Sequence, residues 1–208
     1  MNKLKKMVNQ QRQSTQNPSA PRSPSPDNIQ GGLSRMARMR LQKDFDEFEN
    51  TEYYQLRKID NEDMTKFKMT IVPQDGMYLG GKWEFTIDCP PNFPAAPPKV
   101  TCVTQVYHPN IDLEGHVCLS LLRADKDWSP VSTLSSVADG LLFLFTDPNP
   151  NDPLNIEAGE QMRANRAEFE RMVRKTMRGG RYFGKDFPKI NLNSYFLSSC
   201  YSFYSFSF

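Results

Sequence analysis

Two stretches of this chain alternate in period two. Phe67, Met69 and Ile71 alternate with Lys68, Thr70 and Val72, and Trp83, Phe85 and Ile87 alternate with Glu84, Thr86 and Asp88. Successive side chains of a strand point to opposite faces, so each stretch reads as a strand with one buried face. Asp75-Gly76 and Gly80-Gly81 supply turn chemistry between them. Val100 and Cys102 share one face of a further strand, which makes Cys102 a core thiol. Pro94, Pro97 and Pro98 stiffen the connection that precedes it.

Beyond the strands the period changes. Leu134, Val137, Leu141, Leu142 and Phe145 form an apolar helical stripe, which Pro148 and Pro150 end. Asn155 suits the cap of a short helix. Asn165 with Glu168 reads as a capping box opening a last helix, with Phe169, Met172, Val173 and Met177 inward and Gly179-Gly180 closing it. Ahead of the strands, residues 33–50 read as a helix with Met36, Leu41, Phe45 and Phe48 on one face. A helix, antiparallel strands and then helices make an α+β domain.

The charges of that first helix run against its dipole. Arg35, Arg38, Arg40 and Lys43 come first; Asp44, Asp46, Glu47 and Glu49 come last. The reverse order would be better by roughly 0.3–1 kcal/mol per charge. The basic turn, with Arg35, Arg38 and Arg40, is therefore a candidate partner-binding surface; a solvated face is the plainer alternative.

A chain of 208 residues supports one well-buried domain with tails. Residues 1–32, rich in Gln, Asn, Ser and Pro, are expected to be disordered, because they cannot bury enough apolar surface to offset ordering. They carry Lys3, Lys5, Lys6, Arg12 and Arg22 against Asp27, a net of +4. Met1, Leu4 and Met7 would share a face if this tail became helical, so it is a candidate docking peptide for a partner's groove, or chance apolar residues in a tail. The core domain is placed at residues 33–183. Residues 184–208, aromatic and Ser-rich, with no charge from residue 190 onward, are expected to form a disordered tail.

The formal charge of +2, from 26 basic and 24 acidic residues, argues against a general nucleic-acid binder. No run of about 18 apolar residues suggests a membrane span. The start MNKLKKMVNQ lacks the apolar segment of a secretory signal, so an intracellular protein with reduced cysteines is expected.

Residues 104–132 have neither period, and irregular backbone on a rigid scaffold is where chemistry tends to sit. They contain YHPNIDLEGHVCLSLL, residues 107–122, with both histidines of the chain. Cys102, His108, His116 and Cys118 could be counted as zinc ligands, but their spacings match no knuckle or finger, so no metal is expected. His116 and Cys118, two residues apart, could form a protease-like dyad, but no accompanying signature supplies the rest of such a site. A third chemistry is thiol exchange. If Cys118 takes an acyl group from another thioester, a thiol replaces a thiol, the step is near balance, and no dedicated base is required.

The same residues resemble the ubiquitin-conjugating enzyme (UBC) family. His108-Pro109-Asn110 matches its His-Pro-Asn motif, and Cys118 stands at the position of its thioester cysteine. Pro94-Ala95-Ala96-Pro97-Pro98, Trp128-Ser129-Pro130 and Asp152-Pro153-Leu154-Asn155 match further elements in order, over about residues 33–181. HPNIDLEG, DPNPNDPLN and NRAEFERMVRKTMRGG look like the family's neddylation branch, as does the long N-terminal extension. Two departures are ADKDW, two residues longer before Trp128, and the less bulky Lys5 and Met7 in the tail.

The resemblance implies a UBC-like fold: an N-terminal helix, a four-stranded antiparallel meander, then C-terminal helices. It implies that Cys118 receives a ubiquitin-like modifier from its activating enzyme and yields it to a substrate lysine. Asn110 is then a candidate oxyanion donor, or simply holds the loop. Asp152 is the candidate for orienting the lysine, and His108, Pro109 and Trp128 are structural. Ser120 replaces the acidic residue that many ubiquitin carriers place two positions after the cysteine. No cofactor is expected to be bound, since ATP is used by the upstream activating enzyme. The partners implied are the modifier, its activating enzyme, a RING-type ligase with co-ligase, and cullin-like substrates, with a monomer working in cytoplasm and nucleus. An ordinary ubiquitin-conjugating enzyme is one alternative; a non-catalytic UBC-like binding module is another.

Overall fold

A computed structural model describes residues 33–190. The expectations for residues 1–32, including Met1, Leu4 and Met7, and those for residues 191–208, lie outside the described residues.

Helix α1 (Arg35–Asp46) begins where Ser34 accepts the N–H of Ala37 at 3.1 Å. Its buried stripe is Leu33, Ala37 and Leu41, spaced by four, with Phe48 just beyond the helix. Met36, expected on this face, is 76% exposed. The small Ala37 takes its place, because a tight helix–core approach favours a methyl over a long thioether there. Phe45 is half-buried and stacks on Phe67 at 5.8 Å between ring centroids.

Strands β1 (Tyr54–Lys58), β2 (Lys66–Ile71), β3 (Trp83–Asp88) and β4 (Lys99–Cys102) form an antiparallel meander in sequence order. The alternation predicted from the sequence holds in the register: Met69 lies opposite Phe85, and Ile71 opposite Trp83, all fully buried. The turn between β2 and β3 contains Gly76 and Gly80 at positive φ (73° and 69°), which glycine adopts without a side-chain clash. Gly81 answers to packing instead: a Cβ there would sit 2.0 Å from Cη2 of Trp83.

Helix α2 (Leu134–Thr146) packs on the buried face of this sheet. Thr133 and Ser136 form a reciprocal capping box at its start, a feature absent from the sequence-based expectations. Phe145 stacks on Trp83 at 4.6 Å and meets Tyr78 edge-on at 5.3 Å. Each such large side chain, fully buried, contributes roughly 1.5–3 kcal/mol. Helices α3 (Ile156–Ala164) and α4 (Arg166–Met177) follow, and Asn155 caps the first of them as expected. Asn165 accepts the N–H of Glu168 at 3.1 Å, but the Glu168 carboxylate turns to Arg171 rather than back to the cap.

The expected domain end at residue 183 falls inside a folded hairpin, β5 (Gly180–Tyr182) and β6 (Lys185–Phe187). Phe183 stacks on Tyr107 at 4.7 Å, and Phe187 and Ile190 are both buried. The N–H of Ile190 donates to the carbonyl of Met177 at 2.9 Å, so the folded domain reaches at least residue 190. Three-residue strands carry too little pattern to be seen ahead of their packing. Among the described residues, no helix is long and apolar enough to cross a membrane.

Candidate active site

Three described cysteines can be compared. Cys89 and Cys102 are buried, and burial pushes both thiols up to about 12. Cys102 also donates to the carbonyl of Thr104 at 3.1 Å, which fits the core thiol expected of it. Cys118 differs: it is only partly buried, on the irregular segment that follows β4. A nucleophile must be reachable, and of the three described thiols Cys118 is the one that is not buried.

The backbone around Cys118 is fixed by two motifs far apart in sequence. The N–H of Cys118 donates to the carbonyl of Asn110 at 2.8 Å. The carbonyl of Pro109 accepts the N–H groups of both Leu154 and Asn155 at 2.8 Å. The Asn110 side chain, buried to 3% exposure, completes the tie. Its Oδ1 accepts from the N–H of Asn149 at 2.9 Å, and its Nδ2 donates to the carbonyls of Asn149 at 2.8 Å and Asp152 at 3.2 Å. Both amide hydrogens are therefore occupied within the chain. Of the two roles the sequence left open for Asn110, this geometry displays the loop-holding one. Asp152 is brought to the same rim, with its side chain exposed.

His108 lies beneath, fully buried. Its Nε2 meets the carbonyl of Leu144 at 2.9 Å and its Nδ1 accepts the N–H of Asn110 at 2.9 Å. The proton therefore belongs on Nε2, and burial lowers the imidazole to about 4. A neutral ring with both nitrogens committed has nothing left for Cys118. His116, the other half of the conceivable dyad, is exposed and turns its Nδ1 to Asp112 at 2.7 Å. No group of three or more His, Cys, Asp or Glu side chains converges on a possible metal position among the described residues.

Two further contacts shape the rim. Trp128 is buried, and its indole N–H donates to the carbonyl of Pro94 at 2.8 Å. A 3-10 turn (Ser120–Leu122) leads away from Cys118 and rests on α2, where Gly140 leaves room for Leu119; a Cβ on Gly140 would lie 2.9 Å from Leu119 Cδ2. Of the three arginines assigned to a partner surface, Arg35 and Arg38 are exposed. Arg40 is engaged inside the chain. It meets Asp44 at 2.7 Å, the carbonyl of Pro130 at 2.6 Å and that of Ser132 at 2.5 Å.

A model of the family described as ubiquitin-conjugating enzyme matches residues 40–177. The chain belongs to the ubiquitin-conjugating enzyme family. It is 47% identical over 154 residues to the NEDD8-conjugating enzyme Ubc12 of Dictyostelium discoideum, covering 74% of this chain and 66% of that protein. It is 47% identical over 151 residues to NEDD8-conjugating enzyme UBC12 of Yarrowia lipolytica, covering 73% and 83%. The solved structure of S. cerevisiae Ubc12 superposes with a TM-score of 0.69 at 36% identity, covering 90% of this chain and 96% of that one. The meander, the helices behind it and the α+β arrangement are those of a ubiquitin-conjugating enzyme.

Proposed function

We propose that this ubiquitin-conjugating enzyme carries NEDD8 as a thioester on Cys118 and delivers it to lysine side chains. In the first step Cys118 Sγ attacks the thioester that joins the modifier's C-terminal carbonyl to an activating enzyme. A carbon–sulfur bond forms to Cys118, the other breaks, and the departing thiolate takes up the proton that Cys118 gives off. In the second step a lysine amine attacks the same carbonyl. A carbon–nitrogen bond forms, the bond to Sγ breaks, and a proton leaves the nitrogen as the sulfur leaves as thiolate.

The second step is the harder one. A lysine of pKa about 10.4 is roughly 0.1% neutral near pH 7.4, equivalent to about 4 kcal/mol. Asp152, exposed at the rim, is suited to orienting that amine or accepting its proton. A carboxylate also favours the charged ammonium, so its benefit lies in orientation and proton acceptance.

The observation that carries this reading is the contrast among the cysteines, with one reachable thiol held by the joined His-Pro-Asn and Asp-Pro-Leu-Asn segments. The NEDD8 assignment rests on relatives named for that modifier. The reading extends to an activating enzyme that spends the ATP, a RING-type ligase and cullin-like acceptors, with residues 1–32 as docking peptide, in cytoplasm and nucleus.

The test is a non-reducing gel after incubation with ATP, the NEDD8-activating enzyme and NEDD8, run beside the ubiquitin pair. A reductant-sensitive adduct with NEDD8 is expected, absent in Cys118→Ala and converted to a reductant-resistant ester in Cys118→Ser. Charging by ubiquitin alone would make the chain an ordinary ubiquitin carrier. No adduct in either arm would make it a binding module.

A further inference from the structure

The hairpin β5–β6 turns over in two residues. Tyr182 pairs with Lys185, and between them Phe183 and Gly184 both take positive φ, 52° and 74°. A two-residue turn of this kind matches the twist of its strands but demands positive φ at both central positions, so Asn-Gly is its usual sequence. Gly184 meets that demand freely. Phe183 does not: among the described residues it is the one non-glycine at positive φ, where its Cβ crowds the backbone.

Such strain persists where the surroundings hold it. Here the surroundings are the active-site segment. The Phe183 ring lies on that of buried Tyr107, with 4.7 Å between centroids and planes 6° apart. Tyr107 is also held at its hydroxyl by Gln161, at its carbonyl by Tyr78, and beside Phe169 at 5.5 Å, but the Phe169 ring is tilted by 38°. Two residues after Phe183, Lys185 Nζ meets Glu114 Oε1 at 3.3 Å. The segment that carries Tyr107 and Glu114 then doubles back to Cys118: the N–H of Asp112 donates to the carbonyl of His116 at 3.1 Å, and Ile111 bridges to Val117. The hairpin therefore touches this segment at its start and at its bend. The ion pair is exposed and weak, so the stack is the main contact.

We propose that Phe183 is a positioning residue for acyl transfer at Cys118. The hairpin keeps a left-handed phenylalanine at its turn because the flat ring braces Tyr107, and through it the His108-Pro109-Asn110 backbone. One peptide joins Tyr107 to His108, whose ring accepts the N–H of Asn110 at 2.9 Å, and the Asn110 carbonyl accepts the N–H of Cys118 at 2.8 Å. Rates fall steeply when reacting groups are displaced by even about 1 Å. The rate part of this inference rests on the proposed carrier function; the backbone part needs only the free chain.

The test uses the full chain with Phe183→Tyr, Phe183→Asn and Phe183→Leu. The first keeps the ring, the second suits the turn but loses the ring, and the third does neither. Thermal melts should therefore place Phe183→Asn above Phe183→Leu. Single-turnover discharge of the thioester to free lysine should follow the ring instead: Phe183→Tyr within about twofold of the wild type, Phe183→Asn and Phe183→Leu both roughly tenfold slower. In the free protein, amide hydrogen exchange at Asn110 and Cys118 should quicken in Phe183→Asn and Phe183→Leu and stay unchanged in Phe183→Tyr, while the β2 and β3 amides of Phe183→Asn exchange as in the wild type. A merely structural part for Phe183 would make discharge and exchange follow the melts. That pattern, or Phe183→Asn discharging like the wild type, would overturn the proposal, as would Phe183→Asn melting below Phe183→Leu. Failure of the wild type to charge would instead count against the carrier reading, with the exchange comparison still decisive for Phe183.

Discussion

Nδ1 of His108 accepts the backbone N–H of Asn110, two residues further on, at 2.9 Å. That bond fixes the imidazole as the Nε2–H form, and Nε2 donates in turn to Leu144. The first residue of the motif is thus a buried strut that sets the backbone from which Asn110 reaches the 149–152 loop.

The strut makes stability depend on pH. Burial lowers His108 from 6.5 to about 4, so between these values the unfolded chain binds a proton that the folded one refuses. The contribution is present in full above about pH 6.5 and declines as pH falls towards 4, by up to about 3 kcal/mol. Asp63, held low by its hydrogen bonds from Thr65, acts in the same direction at more acid pH. Urea unfolding at pH 7.5, 6 and 4.5 should therefore show a shallower loss for His108→Gln than for the wild type, although the variant starts less stable. Parallel slopes would show that the ring titrates normally in the fold.

Asn110→Ala removes three hydrogen bonds and strands backbone groups of residues 149 and 152. At about 1 kcal/mol per bond, a loss of roughly 2–3 kcal/mol is expected. Because the whole rim is loosened, charging and lysine discharge should slow together, each by tenfold or more. Single-turnover assays beside thermal melts decide this. An unchanged melt with a loss confined to discharge would return Asn110 to the oxyanion role.

Arg40 is expected to matter for folding. The Asp44 side chain is 2% exposed and also accepts the N–H of Leu134 at 3.3 Å, so Arg40→Ala leaves a buried carboxylate without its cation. A cost of about 3 kcal/mol is expected from urea unfolding. Replacing both groups, Arg40→Met with Asp44→Leu, should recover part of it, because the uncompensated charge is gone. If the single variant melts like the wild type, the tie to residues 130 and 132 is dispensable and a partner surface regains its claim on Arg40.

The parts of this fold that were legible from sequence are those with many periods of one pattern. β2 and β3 bury the side chains that their alternation marks, and α2 buries its stripe except for Leu142, which is only partly buried while Leu144 beside it is buried. β1 carries a single fully buried apolar residue, Leu56, so no pattern marked it. Met36 misled because it is bulky, whereas Ala37, small and inconspicuous, is the residue the packing uses. Cys118 was legible because chemistry and motif converge on it. The dual occupation of the Asn110 amide was not, since its partners at 149 and 152 are backbone groups some forty residues away, and backbone partners leave no mark in a sequence.

The C-terminal hairpin offers the clearest separation of the two boundaries. Ending the chain after residue 183 removes β6, and with it buried Phe187, the Ile190–Met177 hydrogen bond and the Lys185–Glu114 ion pair at 3.3 Å. The ion pair is exposed and contributes little. Phe187 is the main term, since removing a buried Phe side chain costs roughly 3–5 kcal/mol. Phe183 stacks on Tyr107, whose carbonyl accepts from Tyr78 at 2.7 Å and whose hydroxyl meets Gln161 at 3.0 Å. The residue after Tyr107 is His108, so loosening the hairpin reaches the active-site loop through one stack and one peptide. Truncation after 183 should therefore lower stability by at least 3 kcal/mol and slow charging of Cys118, whereas truncation after 190 should leave both unchanged. Phe187→Ala should reproduce most of the loss in the full chain. A chain ending at 183 that melts and charges like the full-length protein would show that the core is complete without β6.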